Sequence, residues 1–214
     1  LPALSPRVSV VPQSVHFPAA SAGETAPLVH GDPCILFPAG IRPVKRPLLP
    51  LGPLDGLLSR HPGLRLWYVG PSLDTAETQH LERELVGRPW ARYLGPVAHS
   101  TMPSLLAAAD IVLNCSLSEG GMANAVLEAF ALGRAVLASD IAGNRSVVED
   151  GVTGLLFGSE AELTEKAARL AADPALRWRL GDAGRRLVES RYTPARETAG
   201  YLEVYARVTG GRLA

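Results

Sequence analysis

Residues 111–139 read IVLNCSLSEGGMANAVLEAFALGRAVLAS. The apolar run 111–115 shows no polar alternation, which marks a strand buried on both faces. A polar loop with two glycines follows, then an apolar helical stretch at 122–132 and a second buried run at 135–138. Strand, loop, helix and strand in that order make a βαβ unit, which needs a parallel sheet covered on both sides. The loop itself is suited to ligands. Gly120 and Gly121 let a ligand approach the backbone closely, and the helix start after them offers free N–H groups and a partial positive charge. Phosphate and sugar hydroxyls both fit such a place, although glycine before a helix also serves plain turns. Within 122–132 the only polar residues are Asn124 and Glu128, four apart and so on one face. A carboxylate on a helix that is apolar almost all round is costly unless it meets donors or water. Glu128 is therefore expected to face a cleft, the alternative being the solvated edge of an outer helix.

The same alternation extends in both directions. Buried strands are expected at 34–37, 64–69, 92–94, 111–115, 135–138 and 154–157, with helices at 54–60, 74–86, 102–109 and 122–132 and a short turn at 144–148. Beyond Phe157 the strands stop, and 161–172, 175–180, 183–191 and 194–208 read as a helical tail, with Leu163, Ala167 and Leu170 at the helix period. The fold class is α/β, a doubly wound parallel sheet of Rossmann-like type with a helical C-terminal extension. Residues 1–33 carry six prolines and one short apolar run, 8–11, and read as a linker with one entering strand; residues 34–214 form the domain. Ligands of such sheets bind past the carboxyl ends of the strands. The loop after the first strand, Phe37-Pro38-Ala39-Gly40-Ile41-Arg42-Pro43-Val44-Lys45, puts two cations there, an arginine fork and a lysine point charge that both suit a diphosphate.

Composition narrows the function classes. The 214 residues are 47% hydrophobic and carry 21 basic and 21 acidic side chains, so neither wholesale disorder nor a basic nucleic-acid-binding surface is indicated. No apolar run is long enough to cross a bilayer, and the chain is read as cytoplasmic. Lysine occurs only at 45 and 166, the other basic residues being arginine, so a lysine in a candidate loop stands out. Cys34 and Cys115 supply neither a disulfide framework nor a four-ligand zinc site, and the five histidines share no metal-ligand spacing, so no metal is expected. Arg177, Arg179, Arg185 and Arg186 read as a solvated helix face, with peripheral membrane contact as the lesser alternative.

Taken in order, these segments carry a resemblance. Ser118-Glu119-Gly120-Gly121 through Leu127-Glu128-Ala129 resembles the paired-glutamate motif of GT-B glycosyltransferases of family 4, the glycosyl transferases group 1 domain. Gly40 to Lys45 resembles that family's Gly-Arg…Lys loop, AVLASDIAGNRSVVEDGVTGLLF its following segment, and the stretch 192–205 its last helix. FPAGIRPVK and SLSEG are most similar to the glycosyltransferase-1-domain-containing proteins. The resemblance implies the C-terminal, donor-binding half of a retaining hexosyltransferase. That enzyme would use a nucleotide diphosphate sugar without metal or other cofactor, and no Asp-x-Asp pair occurs in the chain. Its partners would be the nucleotide sugar, an acceptor the sequence does not name, and an N-terminal domain absent from this chain, without which turnover would be poor. By resemblance Lys45 and Arg42 would hold the diphosphate, Glu128 the ribose hydroxyls, and Glu119 would stand beside the transferred sugar. Gly120, Gly121 and Met122 would offer backbone N–H groups, Gly40 and Asn124 would belong to the donor pocket, and backbone near Val97 would read the base. Three departures stand out. Glu119 and Glu128 are nine positions apart where the family has eight, Arg42 lies unusually close to Lys45, and Ser146 takes roughly the place of a common glutamate. The rival readings are a non-catalytic nucleotide-sugar-binding module and a GT-B-fold sugar-nucleotide epimerase or phosphorylase.

Overall fold

The computed structural model describes residues 8–15 and 29–209. Six strands, β1 (Cys34–Pro38), β2 (Arg65–Val69), β3 (Ala91–Tyr93), β4 (Ile111–Asn114), β5 (Ala135–Ser139) and β6 (Leu155–Phe157), form one sheet. Every pairing is parallel and the spatial order is β3-β2-β1-β4-β5-β6. All six expected strands are present within a residue or two of their expected bounds. Alternate residues of β1, β2, β4, β5 and β6 enter two different cores, which is why those runs are apolar, whereas β3 at the sheet edge exposes Arg92. One face packs Ile35, Phe37, Leu66, Tyr68, Ile111, Leu113 and Leu137 against helices α1 (Leu51–Asp55), α2 (Thr75–Leu85) and α6 (Glu160–Ala172). The other packs Leu36, Trp67, Val69, Val112, Val136 and Ala138 against α3 (Met102–Ala108) and α4 (Asn124–Ala131).

The helix ends follow local chemistry. Asp74, Ser159 and Asp173 each accept a backbone N–H three residues on, starting α2, α6 and α7 (Pro174–Arg191). The helix expected at 54–60 instead occupies Leu51–Asp55, followed by turns to Arg60; Pro53 fits its first turn, and Gly56, a poor helix former, stands directly after Asp55. The turn expected at 144–148 is α5, Ala142–Arg145. The two tail helices expected at 175–180 and 183–191 are one helix, α7. Gly181 and Gly184 do not break it, since a Cβ at 181 would lie 2.1 Å from the Gly133 carbonyl and one at 184 would lie 2.3 Å from the Phe130 ring. These glycines are packing residues that let α7 lie against the end of α4.

The run 8–11 is not a strand: it is irregular, with Val8 and Val10 exposed. Pro12 removes a ladder donor directly after it, and the segment runs along the tail. Ser14 gives its N–H and hydroxyl to Glu197 at 2.9 and 2.5 Å, and the Val15 N–H bonds the Tyr192 carbonyl at 3.1 Å. The last helix, α8 (Pro194–Thr209), buries none of its residues fully. The rest of the linker reading, 1–7 and 16–28, lies outside the described residues. From β1 the chain winds outward through β2 and β3, then returns to β4 and winds the other way. The switch point therefore falls between β1 and β4, and the loops leaving those two strands face one crevice.

Candidate active site

The β1 loop is shaped by a 3-10 turn, Pro43–Lys45, and by Arg46, which takes a left-handed conformation at φ 47°. Such a backbone is costly for arginine and is held from outside. The Arg46 Nε donates to the Cys115 carbonyl at 2.7 Å, and the Leu117 N–H bonds the Val44 carbonyl at 2.8 Å. Below them the buried Tyr68 hydroxyl donates to the Pro47 carbonyl at 2.8 Å. The loops after β1 and β4 are thus stitched together, which brings Lys45 over the end of β4.

There the Lys45 Nζ donates to Glu119 Oε1 at 2.6 Å. The same oxygen accepts from the Ser116 hydroxyl at 2.7 Å and the Asn114 amide at 3.2 Å. Burial pushes the Glu119 carboxyl up, but the bonds from Lys45, Ser116 and Asn114 and the lysine charge outweigh it and hold the group below the ordinary carboxylate range. These residues line a cavity of about 310 Å³ with Gly40, Met122, Ala123, Asn124 and Ala125 among its walls. Helix α4 begins at Asn124 and not at Met122, since Ala123 is extended. No side chain caps it. Val126 and Leu127 give their N–H groups to the Ala123 carbonyl, which leaves the Asn124 and Ala125 amides, ahead of the first intrahelical bond, at the cavity wall.

Of the expected residues, Gly40, Lys45, Glu119, Met122 and Asn124 share this cavity. Arg42 does not: it is exposed and outside the lining, because the turn after it points Lys45 inward. Gly120 and Gly121 are exposed in the loop beside the cavity, and a Cβ on either would meet no atom within 4 Å. Neither glycine is required by the protein's own packing. Glu128 is half-buried one helical turn beyond Asn124 and outside the cavity lining; burial raises its carboxyl pKa and the charge of His99 lowers it. Val97 packs against the second core. Asn124 accepts a hydrogen bond from Gln13, so the segment 8–15 reaches the mouth of the site. Asn114 was missed, although its place as the one polar member of IVLNC was a signal that could have found it, whereas Arg46, Ser139 and Asn144 carry no local signal.

The glycosyl transferases group 1 family matches residues 32–173, and the chain belongs to it. Over 154 residues it is 31% identical to glycosyltransferase 1 domain-containing protein 1 of Xenopus tropicalis, covering 72% of this chain and 44% of that protein. It is 32% identical over 215 residues to D-inositol 3-phosphate glycosyltransferase of Nocardia farcinica, covering 94% and 47%. The chain thus spans about half the length of these curated relatives. Among solved structures, HepE of Anabaena in complex with UDP and glucose superposes with a TM-score of 0.71 at 19% identity, over 82% of this chain and 48% of that one. The C-terminal domain of the group 1 glycosyl transferase LpcC of Francisella tularensis gives 0.67 at 25% identity, over 75% and 86%. The Rossmann-like fold is that of the GT-B glycosyltransferases.

Proposed function

We propose that this chain is the donor-binding half of a retaining glycosyltransferase that moves a hexosyl group from a nucleotide diphosphate sugar to an acceptor. The observation that carries the reading is the meeting of Lys45, Glu119 and the uncapped start of α4 around one cavity at the switch point. Negative charge grows on the departing diphosphate. A fixed ammonium and helix N–H groups stabilise that charge without a metal. Lys45 takes the diphosphate, with Arg42 reaching it only from outside the cavity. Gly120, Gly121 and Met122 offer backbone N–H groups to the distal phosphate or sugar, and the open space over both glycines leaves room for close approach. Glu119 stands beside the transferred sugar, and Asn124 lines the pocket. Glu128 accepts from the ribose hydroxyls while backbone near Val97 reads the base. HepE was solved with UDP and UDP-glucose, which supports this class of donor. No helix among the described residues is long and apolar enough to cross a membrane; a cytoplasmic setting and a separate acceptor-binding domain belong to the same proposal.

Calorimetric titration with UDP-, GDP- and ADP-sugars tests the reading. One donor should bind, and Lys45→Ala should lose about 1.5–3 kcal/mol of its affinity, the scale of a charged hydrogen bond. Equal affinity in the variant would remove Lys45 from the diphosphate site.

A further inference from the structure

Beneath Glu119 lies a buried polar relay running from the end of β5. The Asn144 amide in α5, wholly buried, donates to the Ser139 carbonyl at 2.8 Å and to the Ser139 hydroxyl oxygen at 3.2 Å. Because that oxygen accepts from Asn144, its own proton is directed away, and the Ser139 hydroxyl donates to the Ser116 carbonyl at 2.6 Å. At the other end of residue 116, its N–H donates to Asn114 Oδ1 at 3.0 Å. Residue 116 is pinned at both ends, which holds its side-chain hydroxyl 2.7 Å from Glu119 Oε1.

We propose that Asn144 is a positioning residue for Glu119, acting through Ser139 and Ser116. It does not touch Glu119 and does not itself line the cavity, but its amide also lies 3.5 Å from Oδ1 of Asn114, a lining residue that donates to Glu119, so a longer second contact runs beside the relay. Its Oδ1 is buried without a partner, a cost comparable to losing a hydrogen bond. An asparagine kept only for stability would be a poor choice there; one kept for its amide donor is explained. The effect on donor binding rests on the reading given above, whereas the relay does not.

The test compares wild type with Asn144→Ala and Ser139→Ala, the second removing only one buried oxygen if the first fails to fold. Carbon-detected NMR follows the Glu119 carboxyl through a pH titration, with Lys45 as the charged group facing it and Glu128 as an internal control. In both variants Glu119 should titrate at higher pH than in wild type, since its Ser116 donor is loosened, while Glu128 stays in place. UDP-sugar affinity should fall about two- to tenfold, the scale on which one neutral hydrogen bond acts. A Glu119 titration unchanged in folded Ser139→Ala would overturn the relay. A shifted Glu119 titration in a protein that binds no nucleotide sugar would uphold the relay and remove the donor-site reading instead.

Discussion

Lys45 lies within 2.6 Å of Glu119, so a diphosphate entering the cavity must draw the ammonium away from a carboxylate or share it. Glu119→Gln should therefore bind a bare nucleoside diphosphate at least as tightly as wild type, by a gain of roughly 1 kcal/mol at most, measured by calorimetry. Transfer by the complete enzyme should fall, because the group beside the sugar has lost its charge. The two motif glutamates also have opposite pH signatures. Glu119 lies below the ordinary value near 4.5, so it adds stability above that pH, and this is lost as pH falls through its folded value. Glu128 lies above it, so its folded form holds a proton longer than the unfolded chain does, and stability declines as pH rises through that window. Glu128→Gln is accordingly expected to leave the Tm at pH 7 unchanged or slightly raised while weakening nucleotide-sugar binding. A scan and a titration on the same sample check both halves. A lower Tm with intact binding per folded molecule would make Glu128 structural.

At the scale of elements, α7 is the long helix that seals α4 from outside, and its contact depends on Gly181. Gly181→Ala would place a methyl 2.1 Å from a backbone carbonyl. Such overpacking costs about 1–3 kcal/mol. Thermal scans should show the Tm lower by roughly 2–10 °C on the usual scale for a domain this size. The same glycines explain why the helix looked broken in sequence: a residue chosen for tertiary contact mimics a stop signal. Strands were legible because burial on both faces makes each one except the edge strand β3 an apolar run with no competing pattern. The run 8–11 imitates that pattern without the sheet partner that a strand requires. Lys45 and Glu119 were legible as loop residues past strand ends. That Arg42 lies outside the cavity was not legible, because sequence spacing does not report which way a 3-10 turn points its side chains. Ser139 and Asn144 were invisible as site residues, since their hydrogen bonds to one another and to Ser116 exist only after β4 and β5 pair and α5 folds back onto the end of β5.

For the whole molecule, the crossing between β1 and β4 gathers two loops that are 74 residues apart at Lys45 and Glu119 into one cavity. The segment 8–15 ties the start of the described chain to α8 and to the mouth of that cavity through Asn124. Ordering of this half and occupation of its site should therefore be linked. Donor binding is expected to raise the Tm in proportion to the logarithm of donor concentration above Kd. The central claim is that a nucleotide sugar binds at the switch point, on Lys45 and the start of α4. The direct measurement is backbone amide NMR of the labelled chain during titration with the donor found by calorimetry. The largest shifts should fall on Lys45 and on 119–125, and Lys45→Ala should abolish saturation at the wild-type concentration. Shifts gathered elsewhere on the chain, with 119–125 unmoved at saturation, would contradict the account.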